Sequence, residues 1–180
     1  VLLGKNAKKF DVQLTIHGPY YVVLNSKKAD VRKRSQAELL KTAHLAELMG
    51  AKKIVFHPGF GRDIKPIIEG LRKIENDRPK GVFFCPETMG KISQSGDLNE
   101  VIEICEKTEA KPCIDFGHLH ARTLGTLKKE NDFRKILTEI EKRLGKKILQ
   151  DLHCHFYPIE FTDKGEKKHR AVTEKNVFPK

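Results

Sequence analysis

The sequence predicts an α/β fold with a parallel sheet, and three observations carry that expectation. Short runs rich in β-branched and aromatic residues alternate with helical stripes along the chain. The strands lack polar alternation, as strands covered by helices do. Each predicted strand also delivers a histidine, glutamate or aspartate at its C-terminal end, where parallel α/β folds build their active sites. With 180 residues the chain is long enough for one domain with a real core, and we read residues 1–180 as one.

The elements follow in order. Val1 to Lys9 reads as the tail of a helix whose preceding strand is absent. The first strand, Val12–Ile16, leads into "LTIHGPYYVVLNS" and His17. A helix from about Ser35 to Met49 is signalled by Ser35-Gln-Ala-Glu38, which has capping-box form, and by Gly50 as a stop. Strand Lys53–Phe56 ends at His57 in "KKIVFHPGF". Ile64, Ile67, Ile68 and Leu71 then keep helical spacing. Strand Val82–Phe84 runs through "GVFFCPETMGK" to Glu87, and Asp97-Leu-Asn-Glu100 opens a helix striped by Leu98, Val101, Ile102 and Cys105. Strand Pro112–Ile114 stops at Asp115, with His118 about one turn further on. Phe133, Ile136, Leu137, Ile140 and Leu144 stripe a helix that stops at Gly145. The fifth strand, Ile148–Leu152, delivers His153 and His155 in "LQDLHCHFYPIE". Beyond about Phe156 the residues become charged and lose a clear period, which predicts a long loop carrying Glu166 and His169. A complete (β/α)8 barrel needs roughly 250 residues. Five clear strands therefore mean either a smaller open sheet or a barrel missing its ends; the chain reaches Lys180 without a final strand.

Composition sets the partners. Lys and Arg number 35 against 24 Asp and Glu, a formal net charge of +11. That balance favours acidic partners, nucleic acid above all, although a Lys- and Glu-rich thermophile surface gives the same sum. No apolar run approaches the ~18 residues of a membrane span, and no charged-then-apolar leader is visible. Cys85, Cys105, Cys113 and Cys154 show no close CxxC spacing and read as reduced core residues of a cytoplasmic protein. A monomer is expected, because no exposed apolar seam stands out.

Residues 28 to 40 apart in sequence, from His17 through His57, Glu87 and Asp115 to His155, meet if the strands lie side by side. Imidazoles and carboxylates in one cluster are the donor set of a transition metal: zinc, manganese or iron before magnesium or calcium. Without a cation, several buried carboxylates repel one another and are costly to desolvate. His153 and His155 share a strand face; His155 is nearer the C-terminal end and is preferred, while Cys154 points the other way. His44, inside a helix, reads as a surface or core residue, and His120 is ambiguous. Tyr20 and Tyr21 follow His17 closely and would either stack on a base or pack over the mouth of the site.

The chain resembles the endonuclease IV family of apurinic/apyrimidinic endonucleases, within the xylose-isomerase-like TIM barrels. The resemblance rests on His17-Gly-Pro-Tyr20 with Asn25 further on, His57-Pro58-Gly59, Glu87-Thr88-Met89-Gly90, Asp115-Phe-Gly-His118, and His155 with His169, in that order over nearly the whole chain. It implies a (β/α)8 TIM barrel that lacks its first and last strands here, and up to three zinc ions. His17, His57 and Glu87 would bind one ion. Glu87 would bridge to a second, shared with Asp115 and His155, and His118 and His169 would hold a third. The implied activity is hydrolysis of the phosphodiester 5′ to an abasic site in double-stranded DNA during base excision repair, with Glu87 and Asp115 central to it. Tyr20, Asn25, Arg62, Lys91, Arg122 and Lys167 would contact the DNA, with Lys27, Lys28, Arg32, Lys164 and Lys168 as further phosphate partners. Three departures stand out. Lys167 takes the place of the family's usual Asp two residues before the last His, with Glu166 adjacent as a substitute; the final strand's Glu ligand has no counterpart; and "FYPIEFTDKGEKKH" replaces the usual "HLNDSK" form. Two other readings use the same residues: a sugar isomerase or epimerase with one metal on Glu87, Asp115 and His155, and a metal- or nucleic-acid-binding homologue without catalysis.

Overall fold

The computed structural model describes residues 1–174. In chain order the elements are α1 (Leu2–Lys9), β1 (Thr15–His17), α2 (Ala29–Met49), β2 (Lys53–Phe56), β3 (Gly59–Phe60), α3 (Lys65–Ile74), β4 (Phe83–Pro86) and β5 (Gln94–Ser95). They continue as α4 (Leu98–Lys107), β6 (Cys113–Asp115), α5 (Phe116–Arg122), α6 (Glu130–Leu144), α7 (Lys147–Gln150), β7 (His153–His155), β8 (Ile159–Thr162) and β9 (Gly165–His169). Residues 175–180, and with them the expected absence of a final strand, lie outside the described residues.

Strands β1, β2 and β4 pair in parallel. A single parallel bridge between Glu87 and Cys113 carries the arc on to β6, which pairs in parallel with β7. Five parallel strands in sequence order, joined by crossover helices, form the arc of a (β/α)8 barrel, and among the described residues the arc does not close. The outward faces of the strands meet the helices. Leu39, Ala43 and Ala46 of α2 and Ile67 and Leu71 of α3 cover Ile54, Phe56 and Phe84. Ile136 and Ile140 of α6 join Ile102 and Ile114 in a second cluster. Each buried Leu, Ile or Phe among them contributes roughly 1.5–3 kcal/mol by leaving water. The inward face carries a smaller buried layer of Val55, Cys85 and Cys113.

Five expectations need correction. Helix α2 begins at Ala29, so Ser35 lies inside it, buried, and its hydroxyl accepts the Val23 N–H at 2.9 Å instead of capping. The expected start at Asp97-Leu-Asn-Glu100 does form a capping box. Ile148–Leu152 is not a strand: α7 takes most of it and β7 starts at His153. A short apolar run suits either state, and Ile148, Leu149 and Leu152 pack against the second cluster. The region after Phe156 is no long loop but the antiparallel hairpin β8–β9. Finally, Cys154 is exposed rather than core; all four cysteines are free. The first strand also starts later than expected, at Thr15, because Val12 is exposed.

At the opposite end of the strands Asp151 ties the arc together. It accepts from Lys53 Nζ at 2.6 Å and from Lys111 Nζ at 3.0 Å. The Lys53 hydrogen bond, then that of Lys111, holds the Asp151 carboxyl below its ordinary pKa. A depressed folded-state pKa adds stability above the unfolded value, about 3.9, and the gain is lost as pH falls through the folded value. Asp151 is half exposed, so solvent screening limits the gain to about 0.5–1 kcal/mol. Asp151→Asn is expected to cost that much at pH 7 and nothing in strong acid, read by denaturant unfolding at both pH values. An equal deficit at both would place its role elsewhere.

Candidate metal centre

The parallel register builds the site in layers. Val55, Cys85 and Cys113 make one inward layer. Two residues further along the same strands, and therefore on the same face, come His57, Glu87 and Asp115. The pairing of Cys113 with His153 and of Asp115 with His155 places His155, not His153, in the upper layer. His17 reaches it from β1.

Glu87 is the hub and is 2% exposed. Its Oε2 lies 3.3 Å from both His17 Nε2 and His57 Nε2, and its Oε1 lies 2.6 Å from His155 Nδ1. Burial alone would push the Glu87 carboxyl up, but the hydrogen bonds from His155, His17 and His57 outweigh it and hold the group below the ordinary carboxylate range. In return Asp115 first, then Glu87, raises His155 to about 10, and Glu87 raises His17. The tautomers make the point sharper. His17 Nδ1 donates to the Gly18 carbonyl at 2.9 Å, so a neutral His17 turns the lone pair of Nε2 at a carboxylate oxygen. Two acceptors face each other, and a proton or a cation must lie between them. Asp115 Oδ2 is buried without a hydrogen-bond partner, 3.5 Å from His118 Nδ1 and 3.6 Å from His155 Nδ1. These donors suit a transition-metal dication.

A second group sits beside the first. His118 Nδ1 donates to the Thr88 carbonyl at 2.8 Å, which leaves Nε2 as an acceptor. That Nε2 faces Glu166 Oε2 and His169 Nε2, each at 3.4 Å. Glu166 and His169 are three apart in β9, and in a flat strand they would face opposite ways. The register shift in the hairpin resolves this: Phe161 pairs with Glu166 and Glu160 with Lys168, so Lys167 is an extra, bulged residue. Glu166 and His169 then share a face. Gly90 leaves room for them, since a Cβ there would stand 2.7 Å from that of Glu166 and 3.0 Å from His118 Cδ2. Hence Glu166, not position 167, supplies the carboxylate beside the last histidine.

These groups line a cavity of about 320 Å³, with Tyr20, Lys91 and Tyr157 among its walls. A larger cleft of about 680 Å³ is lined by Arg62, Asp97 and Lys135 but has no histidine; the clustered donors lie in the smaller one. Tyr20 is 78% exposed and stacks on His17, with centroids 5.2 Å apart. Several of the other expected DNA contacts have partners within the protein. Arg122 is clamped by the carbonyls of Met89, Lys91 and Gln94 and its side chain is 7% exposed. Asn25 donates to the Asp63 carbonyl and accepts the Phe60 N–H, bracing the turn after His57. Arg62 pairs with Asp97 at 2.9 Å, Lys167 pairs with Glu160, and Arg32 donates to the Ser26 carbonyl. Lys27, Lys28, Lys164 and Lys168 are exposed. His44 is exposed on α2, and buried His120 packs against Phe161. Sequence reasoning missed Tyr157. Its signal was alternation: it follows His153 and His155 at steps of two.

An open parallel barrel with histidines and carboxylates at its strand ends defines a class of metal-dependent enzyme folds. The chain belongs to the xylose isomerase-like TIM barrel family, whose model matches residues 2–177. An uncharacterized protein of Methanocaldococcus jannaschii is 33% identical over 96% of this chain and 67% of its own length. A protein named probable endonuclease 4 from Shouchella clausii is 27% identical over 91% of this chain and 57% of its own length. The chain thus spans little more than half of that relative. Among solved structures, endonuclease IV from Thermus thermophilus matches with a TM-score of 0.71 at 20% identity, over 89% of this chain and 59% of that one. At that identity the likeness is one of fold. No helix among the described residues is long and apolar enough to cross a membrane.

Proposed function

We propose that this chain is the core of a metal-dependent endonuclease that hydrolyses the phosphodiester 5′ to an abasic site in double-stranded DNA. The observation that carries the reading is the buried Glu87 carboxylate faced by imidazoles from three strands. His17, His57 and Glu87 would hold one ion; Glu87, Asp115 and His155 a second; His118, Glu166 and His169 a third. Zinc fits these donors, with manganese as the alternative. Such cations would neutralise charge gathering on the phosphate and make water a nucleophile at neutral pH.

The protein's own residues do the rest. Glu87 and Asp115 set the spacing of the centre and carry the negative charge that holds it together. Thr88 and Gly18 fix the tautomers of His118 and His17 through their carbonyls. Lys91, exposed on the cavity wall, is placed to meet a backbone phosphate. Exposed Tyr20 offers a ring on which a sugar or base can stack. An abasic nucleotide unstacks at little cost, which helps a site at the bottom of a cavity select it. Buried free thiols suit a reducing, cytoplasmic setting, and the chain is read as acting as a monomer. A sugar isomerase would need one ion and would leave four of the imidazoles without a task.

The test uses the full-length protein loaded with zinc or manganese and a duplex carrying one abasic site. Chelator-sensitive nicking on the 5′ side, absent on intact duplex, is expected, with close to three ions per chain. A folded, metal-loaded protein that leaves the abasic duplex uncut would overturn the nuclease reading, and one ion per chain would favour the sugar enzyme. Gly90→Ala is expected to push Glu166 away from His118 and to lower the metal-to-protein ratio by one while the remaining ions stay bound. An unchanged ratio would show that the hairpin can shift to accommodate the methyl group.

A further inference from the structure

Tyr157 has no task in the reading above, yet its hydroxyl lies among the donors. The residue follows β7, and its Oη is 2.9 Å from His118 Nε2. Its ring lies against that of His169, with centroids 4.1 Å apart, and stands edge-on to His118. Because His118 Nδ1 is committed to the Thr88 carbonyl, Nε2 carries the lone pair and Tyr157 is the donor of this contact. Around the same point Glu166 Oε2 and His169 Nε2 are each 3.4 Å from His118 Nε2, and Glu166 Oε1 is 3.3 Å from His169 Nε2. One donor atom each from His118, Glu166 and His169 lies within 4.8 Å of the others, a spread that a tetrahedrally coordinated, zinc-sized dication can gather. Three corners come from His118, Glu166 and His169. The phenol oxygen, 2.9 Å from the His118 corner, is a further oxygen donor beside them.

We propose that Tyr157 is a metal ligand, its phenol oxygen completing a four-donor site with His118, Glu166 and His169. This rests on the metal reading given above. As the metal–oxygen bond forms, the phenol O–H bond breaks and its proton leaves to solvent; no electron changes hands. In the metal-free chain the hydroxyl keeps its proton and donates it to His118. A site filled by four side chains is of the structural kind, whereas catalytic sites keep a position open. The hairpin ion would then pin β8–β9 in place, and phosphate chemistry would belong to the Glu87 centre.

The test strips the full-length protein of metal and loads it with Cu(II) as a probe. Tyrosinate ring modes in the resonance Raman spectrum, excited in a visible charge-transfer band, are expected from the parent protein. Tyr157→Phe, folded by circular dichroism, is expected to lose the band and to bind one ion at least tenfold more weakly. A parent protein that lacks the tyrosinate modes, but loses one ion on His118→Ala, would overturn the ligand role of Tyr157 and leave the metal site standing. His118→Ala and His169→Ala proteins that bind as many ions as the parent would overturn both.

Discussion

Glu87→Ala is expected to abolish chelator-sensitive cleavage while the chain stays folded. Glu87 is the one carboxylate that faces His17, His57 and His155 together, and its loss opens both sites that would share it. Electrostatic stabilisation by bound cations is worth several kcal/mol, and about 4 kcal/mol is roughly a thousandfold in rate. Folding should suffer far less. The three imidazoles are 21–32% exposed, so each can give its proton to water, and no buried charge is stranded. The stability loss is expected to stay within about 1–3 kcal/mol, the usual range for single substitutions. Cleavage rate, metal content and denaturant midpoint on one preparation decide the matter. A fully active variant would remove Glu87 from the mechanism.

The second large effect separates two roles of Asp115. Its Oδ1 caps α5 by accepting the His118 N–H at 2.7 Å, and the residue is wholly buried. Its Oδ2 has no hydrogen-bond partner and faces His118 and His155. Asp115→Asn keeps an acceptor for the cap and removes the charge; Asp115→Ala removes both. Both variants are expected to lose cleavage by about a hundredfold or more, and the alanine variant alone should lose a further ~1 kcal/mol of stability, the usual worth of a cap. An active Asn variant would reduce Asp115 to a helix cap. Equal stability of the two would mean that the cap contributes nothing here.

How far the sequence foretold this site follows from which contacts are periodic. His57 and Glu87 directly follow a strand and Asp115 ends one, so the two-residue alternation of a parallel strand carries them to one face, and reading the strand ends was enough. His155 over His153 followed from the same alternation. The hairpin was invisible because one bulged residue breaks the alternation of β9, and a broken period looks like a loop. The bulge also accounts for the departure at Lys167. The carboxylate moved one place along the chain, to Glu166, and the extra residue was absorbed without turning it away from His169. The protein partners of Arg122 and Asn25 could not be read from the sequence. Those partners are backbone groups 28 to 38 positions away, and carbonyl positions leave no mark on composition. Tyr157 continues the two-residue alternation of His153 and His155, but it lies beyond the end of β7 and its residue type is not a usual metal donor, so the alternation was not followed that far.

The register of β2 against β4 has one more consequence. Sliding either strand by a single residue would turn its side chains to the opposite face. His57 or Glu87 would then be pressed against the aliphatic underside of α3, and an unpaired carboxylate in hydrocarbon costs more than a misplaced valine ever could. A slipped pairing of β2 and β4 is therefore expected to be disfavoured by the polar row itself. Variants that make this row apolar should be judged for folding fidelity as well as for lost activity, because the same side chains guard both.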